Sequence, residues 1–240
     1  MIAAKDTLPR LLLLPGNMCD ARLWSGLDGL PALHADLSRD GTIEGMAARA
    51  LAEHPGALVP AGFSMGGIVA LEMARQAPER IRGLILADTN AGADLPERAA
   101  VRPAQQKRVR DGELARIVAD ELKPAYLAAQ NRDNPAIRLL VFDMAMALGE
   151  DVFVQQSEAL RTRPDLAPVL DSFAGPVLLV CGAEDVLCPP AWHEAMAARC
   201  RKAELRIIAG AGHLVPLEQP QAFRAVIDDW LTRHFGEWND

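Results

Sequence analysis

A serine can act as a nucleophile only where the backbone presents its hydroxyl, and the run Gly62-Phe63-Ser64-Met65-Gly66-Gly67 has the composition to do so. A sharp strand-to-helix turn forces its apex residue into a strained conformation. Glycines two before and two after the apex remove the side chains that would collide. Gly62 and Gly66 stand at those positions. Upstream, Ala57-Leu58-Val59-Pro60-Ala61 is a short apolar run suited to a buried strand, and downstream Ile68, Leu71, Glu72 and Arg75 give a helical period. Ser64 is therefore expected at a sheet edge, with a helix N-terminus beneath its hydroxyl. A bare G-x-S-x-G arises by chance in roughly one chain in ten of this length, so the assignment depends on its partners.

A serine hydroxyl is a poor nucleophile at neutral pH and needs a histidine to take its proton and a carboxylate to orient that histidine. On a strand-turn-helix elbow the expected chain order is serine, acid, histidine. Asp185 follows the apolar run Pro176 to Cys181, and His213 follows Leu205-Arg206-Ile207-Ile208 through Gly210 and Gly212. Both fall just past the carboxyl ends of predicted strands, where open parallel sheets gather their functional groups. The ordinary alternatives are a helix cap for Asp185, near Pro189 and Pro190, and simple loop packing for His213. Among the other histidines, His34 precedes the serine, His54 ends a helix beside Pro55, His193 lies on a predicted helix and His234 lies in the tail. Asp88, at the end of Leu84-Ile85-Leu86-Ala87, is the rival acid; Glu184 adjoins Asp185 but should face elsewhere.

The elements that must carry these residues alternate. Strand-like runs near 10–14, 33–37, 57–62, 82–87, 177–181 and 204–208 are separated by helical patterns near 20–30, 43–53, 65–76, 190–200 and 218–235. Asp20 and Thr42 suit N-caps, and Trp24 suits the core. The alternation predicts an α/β fold with a mostly parallel, doubly wound sheet. Between Asp88 and Pro176 it stops and helical patterns follow one another. This segment reads as an inserted helical lid over residues 93–170, with 1–92 and 171–240 forming the core domain.

Arg102, Lys107, Arg108 and Arg110 cluster in the insertion, either as a solvated face or with one arginine meeting a substrate carboxylate. Leu139 to Leu148 is apolar almost all round a helix, which requires dry neighbours on both sides. Phe142, Met144 and Met146 are the candidate substrate-binding residues there, because ligand pockets are mainly apolar.

Composition narrows the partners. The 240 residues suit a single α/β unit, and the 50% hydrophobic content supplies a full core. A formal net charge of -7 argues against nucleic acid or an anionic membrane as partner. The four cysteines (Cys19, Cys181, Cys188 and Cys200) include no close pair of the kind that binds zinc. Gly210-Ala211-Gly212 lacks the third glycine of a dinucleotide loop, which argues against a nicotinamide site. Leu11 to Leu14 is too short for a secretory leader, so a reducing cytoplasm is the expected compartment. No bilayer-spanning run is visible, and the chain is expected as a monomer or homodimer.

Four segments together resemble the α/β-hydrolase family over nearly the whole chain: Leu14-Pro15-Gly16-Asn17, the Ser64 turn, Gly182-Ala183-Glu184-Asp185 with Pro189, and Gly210-Ala211-Gly212-His213 with Pro216, Glu218 and Pro220. The subgroup it is similar to comprises small esterases and lactonases with a helical lid, which implies a small ester-like substrate and neither metal nor organic cofactor. It also implies an oxyanion hole built from the amides of Asn17 and Met65, with Met18 the donor instead if the loop is shifted by one residue. Family members commonly carry His-Gly where this chain has Pro15-Gly16; the chemistry needs only the backbone N–H that follows. Only Met1 to Pro9 precede the first strand, so the sheet is expected to lack the family's first two strands. The same site could serve a lactone, a thioester, a carbon–carbon bond beside a ketone, or perhydrolysis. A hydrolase-derived small-molecule receptor is the alternative outside enzymes. A dehalogenase would need an aspartate where Ser64 stands.

Overall fold

The predicted strands near 10–14, 57–62, 82–87 and 177–181 are largely apolar on both faces, and such runs are stable only when both sides are covered, whereas those near 33–37 and 204–208 carry polar residues and suit the sheet edges. In the computed structural model, which describes residues 8–122 and 126–236, this is how the chain is arranged. Strands β1 (Arg10–Leu14), β2 (Ala32–His34), β3 (Leu58–Phe63), β4 (Leu84–Ala87), β5 (Val177–Gly182) and β6 (Ala203–Ile208) form one sheet in the order β2-β1-β3-β4-β5-β6. All five neighbouring pairs are parallel. Among the described residues no antiparallel strand precedes β1.

Alternate side chains divide between two cores. Leu12, Leu14, Leu84, Leu86, Val177 and Leu179 pack with helices α1 (Ile43–Glu53) and α2 (Met65–Gln76). Leu11, Leu13, Val59, Ile85, Leu178 and Val180 pack on the opposite face, against Leu23, Trp24, Phe223, Ile227 and Trp230. Thr42 accepts a hydrogen bond from the Gly45 N–H and caps α1, and Asp20 accepts one from Arg22. Asp20 opens only a 3-10 helix over Ala21–Leu27, shorter than the helix predicted near 20–30. Gly29, at φ +85°, and Pro31 turn the chain away before a full helix can form.

Between β4 and β5 the chain is helical: α3 (Pro96–Arg108), α4 (Leu114–Arg116), α5 (Pro135–Thr162) and α6 (Ala167–Ser172). α5 is two helices end to end, broken at Gly149, where φ is +81°. After β5 come α7 (Pro190–Arg199), and after β6 α8 (Val215–Glu218) and α9 (Pro220–Phe235). The helix predicted near 218–235 is α9, which starts at Pro220; the short α8 before it ends there, because Pro220 has no N–H to donate to the bond that would continue it. Among the described residues no helix is long and apolar enough to cross a membrane.

Register brings the carboxyl ends of five strands to one edge. Leu14 pairs with Gly62, Phe63 with Ala87, Ala87 with Val180 and Gly182 with Ile208. Asn17, Ser64, Asp88, Asp185 and His213 all lie just past that edge, on separate loops.

Candidate active site

The turn at Ser64 holds a conformation that few residues tolerate. Ser64 has φ +51° and ψ -115°, between the last residue of β3 and the first of α2. A Cβ on Gly62 would collide with the Gly66 carbonyl, and one on Gly66 with the Leu14 carbonyl, so both glycines are required for the strand and helix to approach. The strain is held from three sides. The Ser64 N–H donates to the Ala87 carbonyl at 2.9 Å, the Ser64 carbonyl accepts from the Gly67 N–H at 3.0 Å, and it also accepts the Thr89 hydroxyl at 2.6 Å. Thr89 is itself fixed, its N–H donating to Nε2 of buried His193 at 3.1 Å. Burial pushes the His193 imidazole down to about 4, so the ring is neutral and able to accept.

The Ser64 Oγ lies 3.0 Å from Nε2 of His213, and Nδ1 of His213 lies 2.9 Å from Oδ2 of Asp185. The other oxygen of Asp185 accepts the N–H groups of Leu187 and Cys188 at 2.8 and 2.9 Å. Burial acts to raise the Asp185 carboxyl, but the His213 charge and hydrogen bond and these two N–H groups outweigh it and hold the carboxyl below its ordinary value. An ionised carboxylate can only accept, so Nδ1 must carry the ring proton and Nε2 is left to accept from the serine.

The histidine loop is fastened from below. The Glu218 carboxylate accepts the backbone N–H groups of Gly212 and Leu214 on either side of His213, and also the Ala128 N–H and the Asn131 side-chain amide. The His213 N–H donates to the Tyr126 carbonyl at 2.6 Å.

Asp88, the rival acid, does not reach the imidazole. Its carboxylate accepts the Gly182 N–H at 3.0 Å and the Val215 N–H at 3.3 Å, tying the Asp185 loop to the His213 loop. Burial, and then the charge of Asp185, raise its pKa well above the ordinary value. Glu184 points away and accepts the Ala129 N–H.

Of the two backbone amides weighed after β1, that of Met18 is occupied: it donates to Oε1 of Gln156 at 2.8 Å. The same oxygen accepts from the Asn17 side chain at 3.1 Å, and Nε2 of Gln156 donates to the Leu37 carbonyl at 3.1 Å. Asn17 lines the cavity beside Ser64. Met65 is the first residue of α2, where no helical carbonyl reaches its N–H. Gln156 gave no signal in the sequence, because its partners lie more than a hundred positions away.

The cavity over Ser64 is about 110 Å³, small against the ~300–1,000 Å³ typical of sites for drug-sized ligands. Phe63, Ile68, Phe153, Leu160 and Leu214 give it apolar walls, and Arg98, Arg102 and Arg163 stand among its polar lining. The structure does not bring Phe142, Met144 or Met146 to it. Met144 is fully buried against the sheet, Phe142 and Met146 pack on the cluster around Val109 and Ile117, and Phe142 also lines a separate depression with Val118 and Leu139. The helix from 139 to 148 has dry neighbours on two faces, both of them protein cores, but Leu139, Asp143 and Ala147 face solvent on a third. Of the basic cluster, Lys107 pairs with Asp111 and Arg108 with Glu113, while Arg102 faces the cavity.

Among the described residues two groups have ligand atoms close enough to share an ion: Asp185, Cys188 and His213, and Asp88, Cys181 and Asp185. Their chemistry does not fit one. The carboxylates already accept backbone N–H groups, and burial pushes the Cys188 thiol up to about 12 and that of Cys181 higher still.

A model described as the alpha/beta hydrolase family matches residues 11–226. A pimeloyl-acyl-carrier-protein methyl ester esterase of Neisseria meningitidis serogroup B is 31% identical over 176 residues, covering 71% of this chain and 67% of that protein. A 2-succinyl-6-hydroxy-2,4-cyclohexadiene-1-carboxylate synthase of Serratia proteamaculans is 34% identical over 180 residues, covering 71% and 66%. The chain thus spans about two thirds of the length of each of these curated relatives. A malate-bound thermophilic esterase from Thermogutta terrifontis superposes with a TM-score of 0.84 at 30% identity, over 95% of this chain and 91% of that one.

Proposed function

The chain belongs to the alpha/beta hydrolase family, and from that premise we propose that it is a serine hydrolase that cleaves a small carboxylic ester through an acyl-enzyme intermediate. The observation that carries this reading is the unbroken line of hydrogen bonds from Ser64 through His213 to Asp185. His213 takes the Ser64 proton as Oγ attacks the ester carbonyl, and the amides of Asn17 and Met65 receive the oxyanion. His213 then gives the proton to the leaving alcohol, and water repeats the sequence on the acyl-enzyme. Asp185 holds the imidazole in the tautomer that faces Ser64 and stabilises it once protonated. Residues 93–170 serve as a lid, supplying Arg98, Arg102, Phe153, Leu160 and Arg163 to the cavity. The cysteines among the described residues are free thiols, which favours a reducing, cytoplasmic setting.

The test of substrate size is a panel of esters graded by acyl length, run beside Ser64→Ala. Acetyl to butyryl esters should exceed octanoyl esters by about tenfold or more in kcat/KM, because a cavity this small cannot hold a long chain without opening. An optimum at octanoyl or longer would contradict the reading. Small lactones belong in the same panel as the second reading, favoured by the same cavity because acyl and alcohol parts form one compact molecule.

Gln156 is a positioning residue in this scheme. Gln156→Leu removes the acceptor that fixes Met18 and the Asn17 side chain, so the Asn17 amide remains but is no longer aimed. The expected result is a fall in kcat of about 10- to 100-fold, part of the ~10²–10³ typical of losing one oxyanion donor, with KM little changed. Gln156→Glu keeps the acceptor but loses the Nε2 donor to the Leu37 carbonyl, so it should recover part of the loss; a kcat in Gln156→Leu equal to that of the wild type, with an unchanged melt, would refute the role.

A further inference from the structure

Arg98 and Arg102 stand one helical turn apart on α3 and both line the cavity beside Ser64. Like charges at this spacing destabilise a helix unless something offsets them. Asp94, the one carboxylate in the lining, offsets only part. It accepts Nε of Arg102 at 2.7 Å and Nη1 of Arg163 at 2.9 Å. Arg163 is buried and fully engaged, donating also to the carbonyls of Gly92 and Leu160 at 3.0 Å. Among the described residues no carboxylate pairs with Arg98, and the terminal nitrogens of Arg102 have no partner. The lining therefore carries three guanidinium groups against one carboxylate, in a chain whose net charge is -7.

Arg98 is also held in place. Its Nη2 donates to the Leu187 carbonyl at 3.1 Å, and its guanidinium lies 5.5 Å from the centre of the Trp192 ring. Leu187 is the residue whose N–H holds Asp185, so the arginine is anchored to the same loop as the proposed catalytic acid. A planar cation fixed in this way, with donors still available in a cavity partly shut off from water, is built to receive a carboxylate.

We propose that the ester or lactone attacked by Ser64 carries a second, ionised carboxylate, received by Arg98 and Arg102. The substrate class is then a half-ester of a short dicarboxylic acid, or a lactone bearing a carboxylate. The proposal takes its reaction from the hydrolase reading; the anion subsite itself stands on the arginines alone.

Monoethyl succinate and ethyl butyrate match in chain length and differ in the terminal charge. The wild-type protein should favour the succinate half-ester in kcat/KM by about 10- to 100-fold, chiefly through KM, as expected for a hydrogen-bonded charge pair. Arg98→Gln should cut that ratio by about tenfold or more, whereas Arg110→Gln, on the exposed face, should leave it unchanged. Raising NaCl to about 0.5 M should shrink the wild-type ratio without any substitution. A wild-type ratio near one, or a ratio that Arg98→Gln does not move, would overturn the proposal. Should neither ester be cleaved, the hydrolase reading fails first, and succinate binding to Ser64→Ala by calorimetry still decides the subsite. Binding that is lost in Ser64→Ala/Arg98→Gln supports it, and no binding refutes it.

Discussion

Ser64→Ala should lower kcat by about 10⁶-fold toward every ester the wild-type protein cleaves, with KM nearly unchanged and the fold intact. The substitution removes only Oγ. The strained backbone at φ +51° is held by the Ala87 carbonyl, the Gly67 N–H and the Thr89 hydroxyl, none of which uses the serine side chain. The Asn17 and Met65 amides also remain, so a residual rate of about 10³–10⁴ over water should persist from oxyanion stabilisation and binding alone. Steady-state kinetics beside a thermal melt separate lost chemistry from lost fold. A variant that melts like the wild type and keeps most of its turnover would place the nucleophile elsewhere.

Asp185→Asn should cost about 10⁴-fold in kcat. The N–H groups of Leu187 and Cys188 demand an acceptor, so the Asn oxygen must turn toward them. Its amide nitrogen then faces His213 Nδ1 as a donor, and the imidazole must move its proton to Nε2. There it confronts the Ser64 hydroxyl with a second donor where an acceptor is needed. Asp88→Asn makes the informative contrast. Its carboxylate bonds to backbone N–H groups rather than to the imidazole, and burial already favours its neutral form, so its loss should act mainly on stability. A larger kcat loss in Asp88→Asn than in Asp185→Asn would reassign the acid.

The residues most legible in the sequence were those whose placement depends on local pattern. Ser64 and Asp185 follow apolar runs that form buried strands and His213 follows a strand at the sheet edge, and a parallel sheet in register brings such loops to one edge whatever lies between them. Helix faces were harder. The run from Leu139 to Leu148 states that its surroundings are dry, but periodicity does not say which surface supplies the dryness. Met144 accordingly meets the sheet-side core, and Phe142 and Met146 the insertion's own core. Gln156 was invisible because a glutamine on a helix is ordinary, and its role comes from a loop 139 positions earlier. The basic cluster drew notice as a charge run. Burial and ion pairing then separated the cavity-facing Arg102 from Lys107 and Arg108, and added Arg98 and Arg163, which no run had marked.

The central claim, that His213 makes the Ser64 oxygen nucleophilic, is tested most directly by covalent capture with a fluorophosphonate probe, read by intact mass and peptide mapping. One adduct per chain should form on the peptide carrying Ser64, and His213→Ala should slow its formation by several orders of magnitude. An adduct on another residue, or labelling of Ser64 in His213→Ala at the wild-type rate, would contradict the account.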